Sequence, residues 1–207
     1  MPRISTLLFT GGEIHDWKGC GDAIEDALKE TGDFGITRVK DDLSVFEGDL
    51  SSYDLIAFYH TVGTITDSQK NGLLNFVASG KGYAGAHSAA DSFRECPEYR
   101  AMVGGHFATH PAFRQYQVSV VDTEHPITKG IVEFMVEDEQ YILDYDPRVQ
   151  VLCSALWKGA AAPVAWTKPW GAGRVFYLAL GHSPDACRHE MFRLLFQRGA
   201  KWAGGGK

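Results

Sequence analysis

The feature that most constrains this chain is the alternation of short apolar runs with amphipathic stretches from Ser5 to His87. Ser5 to Thr10 reads as a buried strand that ends at Gly11-Gly12, where the backbone can turn sharply. Gly19 to Thr31 reads as a helix, with Ile24, Ala27 and Leu28 on one face and Asp22, Glu25, Asp26 and Lys29 on the other, stopped by Gly32. Gly35 to Lys40 and Leu55 to His60 read as the next two strands. Thr66 or Asp67 caps a helix that runs to about Ser79 and ends at Gly80. Gly82 to His87 is a fourth strand, made of small residues. Strands alternating with helices at this spacing predict an α/β fold, with a mostly parallel sheet covered on both faces.

The second half is less regular. A short helix is expected around Pro97 to Val103, and strands at Arg114 to Val121, Val149 to Leu152, Pro163 to Trp166 and Arg174 to Leu180. Gly171-Ala172-Gly173 marks a hairpin between the last two. A closing helix spans about His189 to Trp202. No repeat or linker divides the chain, so a single domain over residues 4–202 is expected, with 203–207 as a frayed tail.

Several functional classes are disfavoured by composition. The net charge is −6 and no basic cluster could neutralise several phosphates, so nucleic-acid binding is not expected. No apolar run of about 18 residues occurs, and the first apolar run is too short for a signal peptide, so a cytoplasmic protein away from membranes is expected. The four cysteines, Cys20, Cys96, Cys153 and Cys187, form no CxxC pair and read as reduced thiols.

Polar residues gather where strands end: His15-Asp16 after the first, His60-Thr61 at the third, His87-Ser88 at the fourth and Gly181-His182-Ser183 at the last. Open parallel sheets bind ligands outside the carboxyl ends of their strands. Gly85-Ala86-His87-Ser88-Ala89-Ala90 has the small residues that a nucleophile elbow needs, with His87 or Ser88 at the apex. His106 and His110 lie in a loop-like segment, and loop histidines can ligate metal or move protons. Glu137-Asp138-Glu139 reads as a solvated charge run, one member of which could reach the histidines. Trp166 and Trp170 flank a turn, where Trp170 could stack on a sugar ring.

The ordered set Gly80-Lys81-Gly82-Tyr83-Ala84-Gly85-Ala86-His87-Ser88-Ala89, Pro97-Glu98-Tyr99, Gly104-Gly105-His106-Phe107, His110-Pro111, His125-Pro126-Ile127-Thr128, Asp138-Glu139-Gln140-Tyr141 and Gly173-Arg174-Val175-Phe176-Tyr177 with Gly181-His182 resembles the ThuA-like (trehalose utilisation) family. The resemblance implies a flavodoxin-like, class I glutamine amidotransferase-like three-layer sandwich. It also implies a role in catabolism of trehalose or related glycosides, including 3-keto sugars. In true amidotransferases the elbow carries Cys, activated by a His near a later strand end. Here His87 stands at the Cys position and His182 near the partner His, so a thiol-based glutaminase is not expected.

Three functions remain open on these residues. The first is a sugar-modifying enzyme (lyase, hydrolase or isomerase) with His87, His182 and Glu139 as its catalytic centre and His15, Asp16, His60, His110 and Trp170 as substrate-binding residues. In that reading His87, His106, Glu139 and His182 hold a divalent metal, Zn or Mn, or a His–carboxylate pair shuttles protons. The second is a non-catalytic sugar-binding or regulatory protein. The third is a hydrolase with Ser88 as nucleophile and His182 as base. The partner expected is a small-molecule sugar or keto sugar, with a homo-oligomer left open.

Overall fold

A computed structural model describes residues 3–205. Its centre is a nine-stranded mixed sheet. Five strands form a parallel block: β1 (Ile4–Gly12), β2 (Phe34–Lys40), β3 (Leu55–Thr61), β4 (Gly82–Ala86) and β11 (Gly173–Leu178). Four more continue it antiparallel: β10 (Ala160–Trp170), β9 (Gln150–Trp157), β6 (Arg114–Val120) and β7 (Phe134–Asp138). The order across the sheet is β2-β1-β3-β4-β11-β10-β9-β6-β7. A separate two-stranded ribbon pairs β5 (Gly105–Thr109) with β8 (Ile142–Tyr145).

Helices cover both faces, as a parallel block requires. On one side α1 (Trp17–Glu30), α4 (Pro184–Arg188) and α5 (Glu190–Gly204) bury Ile24, Leu28, Cys187, Phe192 and Phe196 against Leu8, Ala57, Tyr59, Phe176 and Leu178. On the other, α2 (Asp67–Ala78) and α3 (Pro97–Val103) bury Leu73, Phe76, Val77, Tyr99 and Met102 against Leu7, Phe58, Tyr83 and Tyr177. The alternating side chains of each strand feed the two cores, so every residue of β3 is buried. The structure is a three-layer α/β sandwich of the flavodoxin-like kind.

Most expected elements are present. Thr66 is the N-cap of α2 and forms a capping box with Gln69. The β10–β11 hairpin turns at Gly171, whose φ of +58° suits glycine. Six elements depart from the sequence reading. The segment carrying His106 is strand β5 rather than a loop, because β8 supplies its backbone partners. β7 and α4 were not expected. β9 and β10 are longer than their apolar centres, since edge residues pair through the backbone whatever their side chains. Helix α5 continues through Gly204 with Ala203 buried, so the frayed tail does not begin at 203. Gly206 and Lys207 lie outside the described residues. All four cysteines are free and buried, and among the described residues no helix is long and apolar enough to cross a membrane.

Candidate functional site

β4 ends at Ala86, and His87 opens a tight turn over His87–Asp91. His87 has φ +42°, a left-handed conformation that non-glycine residues seldom adopt. Small neighbours permit the turn: a Cβ on Gly85 would lie 2.8 Å from Tyr83 Cε1 and 3.0 Å from the Ala89 Cβ. Buried tyrosines hold it from beneath. Tyr177 donates its hydroxyl to the His87 carbonyl at 2.7 Å, and Tyr99 donates to the Ala89 carbonyl at 2.8 Å.

His87 is fully buried. Its Nδ1 lies 2.8 Å from the Ala179 carbonyl, which can only accept, so Nδ1 carries the proton. In the neutral ring Nε2 is then a bare lone pair. It has no hydrogen-bond partner among the described residues, and Glu139 Oε2 lies 3.5 Å away. Two electron-rich atoms thus face each other, with Nε2 itself shielded from solvent. A metal-binding imidazole commonly donates its other N–H to a backbone carbonyl in this way.

Around that gap stand His15, from the loop after β1, and His182, from the loop after β11. One ligand atom from each of His15, His87, Glu139 and His182 lies within 4.8 Å of every other. His182 Nδ1 is 3.1 Å from Glu139 Oε2 without a well-directed hydrogen bond. His15 Nδ1 contacts the buried Thr61 hydroxyl at 2.7 Å. Burial, aided by neighbouring imidazoles, lowers the His15 pKa to about 3, so this ring is a neutral donor at pH 7. Burial pushes the Glu139 carboxyl up, but the attraction of His182 and His87 outweighs it and holds the group well below the usual carboxylate range. The Glu139 carboxylate in turn raises His182.

Asp138 holds the centre together. Its side chain is 1% exposed and accepts backbone N–H bonds from Gly181 at 2.7 Å, His182 at 3.1 Å and Glu139 at 2.8 Å. It therefore fixes the loop of His182 relative to the carboxylate of Glu139. The sequence reading missed this role, because Asp138 looked like one of three solvated acids. Only the strand alternation of β7 could have pointed it inward.

A family model described as ThuA, trehalose utilisation, matches residues 5–203. The chain belongs to this family. Solved structures agree on the fold. A ThuA-like protein from Parabacteroides merdae aligns with a TM-score of 0.88 at 23% identity, over 99% of this chain and 91% of that one. A ThuA-like protein from Bacteroides uniformis gives 0.81 at 21% identity, over 98% and 91%. A β-galactosidase from Bacillus circulans sp. alkalophilus gives 0.66 at 14% identity, over 99% of this chain and 31% of that one. No curated protein matches the sequence.

In this ThuA chain the other expected site residues are placed as follows. His110 joins the rim, with Nδ1 3.1 Å from Glu139 Oε1. His106 stands apart: it lies 3.9 Å from Asp144 and lines a separate hollow with Arg94, Arg100 and Phe107, and His15 takes the position expected of it. Asp16 caps α1 by accepting from the Gly19 N–H at 3.0 Å. His60 is buried among Phe9, Phe58 and Phe93 and contacts the Ser92 hydroxyl at 3.1 Å. Ser88 is buried, with its hydroxyl unpartnered among the described residues. Trp170 pairs with Gly173 where β11 begins, the opposite edge from the histidines, and donates its indole N–H to Leu74.

Proposed function

We propose that this ThuA-family protein is an enzyme of glycoside catabolism, acting on a sugar or oxidised sugar at a divalent-metal centre held by His15, His87, His182 and Glu139. The observation that carries the reading is the buried, unpartnered Nε2 of His87 facing the Glu139 carboxylate at 3.5 Å, with two further imidazoles in reach. Three nitrogens and one carboxylate oxygen suit Zn²⁺ or Mn²⁺. A cation there supplies Lewis acidity that polarises a carbonyl or acidifies water. The chain's own groups do the rest. His87 is oriented by the Ala179 carbonyl and His15 by Thr61. Glu139 balances the cation's charge. His110, 40% exposed at the rim, is placed to give or take a proton beside Glu139.

The test is elemental analysis of tag-free protein alongside turnover of a 3-keto glycoside. The expected result is about one divalent ion per chain, with both ion and turnover lost in His87→Ala. Full turnover in a metal-free preparation would contradict the centre. Sugar binding with no turnover would assign the protein a binding or regulatory role instead.

A further inference from the structure

A cavity of about 380 Å³, within the range of small-molecule sites, shares no residue with the four-ligand cluster. Asp91 lines it from the end of the turn that His87 opens, and Arg94 and Arg100 from the stretch that leads from this turn into α3. His106 and Phe107 of β5 close the other side. Phe107 and Tyr141 have ring centroids 4.6 Å apart, and Tyr141 and His87 3.9 Å, so two aromatic rings lead from this cavity to the cluster.

The charges of the lining do not balance. Its one acid, Asp91, is buried and takes a two-pronged bond from Arg94, Nε to Oδ1 at 2.8 Å and the second guanidinium nitrogen to Oδ2 at 2.7 Å. Arg94 keeps its remaining terminal nitrogen for another acceptor. Arg100 is left without a carboxylate in the lining. One of its terminal nitrogens donates to the Arg94 carbonyl, and its Nε is buried with no partner among the described residues. A half-buried guanidinium without a counter-charge is costly unless an anion joins it. Two guanidiniums against one carboxylate leave this cavity positive in a chain of net charge −6. Asp144, 3.9 Å from His106, stays outside the lining, with its side chain 76% exposed and so screened by water.

We propose that this cavity is an oxyanion site, in which Arg94 and Arg100 hold the phosphate or carboxylate group of a small ligand and His106 donates a further hydrogen bond. Guanidinium groups match the paired oxygens of either group, and the bonds are strengthened by charge. Phe107 supplies an apolar wall for the body of the ligand. The site stands on its own residues and does not depend on a metal or a sugar at the histidine cluster.

Calorimetric titration of the full chain at low salt, with inorganic phosphate and separately with malonate, tests this. Wild type is expected to bind at least one of them saturably at one site, and the tighter of the two names the source of the oxyanion, a phosphate ester or a carboxylic acid. Arg100→Gln should weaken that binding by at least about tenfold, the scale of one hydrogen bond between charged groups. Arg100→Lys, which keeps the charge and loses the fork, should weaken it less. His15→Ala should leave it unchanged, because the cluster takes no part. Arg100→Gln also loses the bond to the Arg94 carbonyl, so NMR of the wild type supplies a check without substitution at that position. The tighter probe should move the His106 ring signal, assigned by its absence in His106→Gln, and leave that of His125 in place. The proposal is overturned if wild type binds neither probe, if the His106 signal stays still at saturation, or if folded Arg100→Gln binds as tightly as wild type. Loss of binding in His15→Ala would also overturn it, by placing the anion on the cluster.

Discussion

The parallel and antiparallel halves of the sheet contribute to the site in different ways. β1, β4 and β11 lead into the loops and turn that present His15, His87 and His182, and these strands are sealed on both faces by helices. The β6–β7 hairpin brings Phe113 and Glu139 from its ends, yet one of its faces meets solvent, with Gln115, Gln117, Met135 and Glu137 exposed. Imidazoles are thus set by a frame buried on both faces, while the carboxylate that draws them together arrives on a hairpin with one exposed face. The joint between the halves is Asp138, reaching from β7 to the backbone of Gly181 and His182. Where a site straddles two such regions, the group that fixes their relation matters as much as the groups that do chemistry.

Breaking the joint should give the largest effect. Asp138→Ala removes the acceptor of two cross-element N–H bonds and one local bond. At roughly 1.5–3 kcal/mol for a hydrogen bond to a charged group, a loss on the order of 4 kcal/mol in urea unfolding is expected. Asp138→Asn, which keeps one acceptor oxygen, should lose clearly less. An unchanged midpoint for Asp138→Ala would mean that the halves hold together without it.

Acid should strike the parallel half next. Burial lowers the His60 pKa from 6.5 to about 4, so the unfolded chain binds this proton more readily than the folded one. Stability from this residue is therefore complete above pH 6.5 and falls as pH drops toward 4. The interval of 6.5 − 4 corresponds to roughly 3 kcal/mol. His60→Gln should flatten the pH dependence of unfolding across that window, and an identical slope in the variant would refute the assignment.

Metal affinity sharpens the comparison further. His15→Ala should lower Zn²⁺ affinity by at least about 100-fold, the top of the outer-shell scale, whereas His106→Ala should stay within about twofold. Equal losses would place the ribbon of β5 and β8 in the centre. The smallest effect is reserved for Trp170→Ala, which should leave ion and sugar binding unchanged within error, because the residue sits at the far edge of β10 and β11.

The parallel half was legible in the sequence because its signals are local. Gly11-Gly12 and the small-residue run of β4 mark strand ends directly, and Thr66 with Gln69 marks a helix start. The elbow at His87 was legible for the same reason: only small residues fit around it. The antiparallel half and the separate β5–β8 ribbon depend on distant pairing. β5 finds its partner only at β8, where Gly105 meets Tyr145, and nothing near Gly105 or Pro111 announces that contact. Within Glu137-Asp138-Glu139 the composition is uniform, yet Glu137 faces solvent, Asp138 binds backbone and Glu139 meets the histidines. The exchange of His106 for His15 has the same origin, because spacing along the chain does not report which loop lies over which strand end.

X-ray absorption at the zinc edge of the Zn²⁺-loaded protein tests the central claim most directly. Three imidazole nitrogens at about 2.0–2.1 Å plus one carboxylate oxygen are predicted, with one imidazole lost from the spectrum in His15→Ala and none in His106→Ala. A shell without imidazole, or one unchanged when His15 is removed, would contradict it.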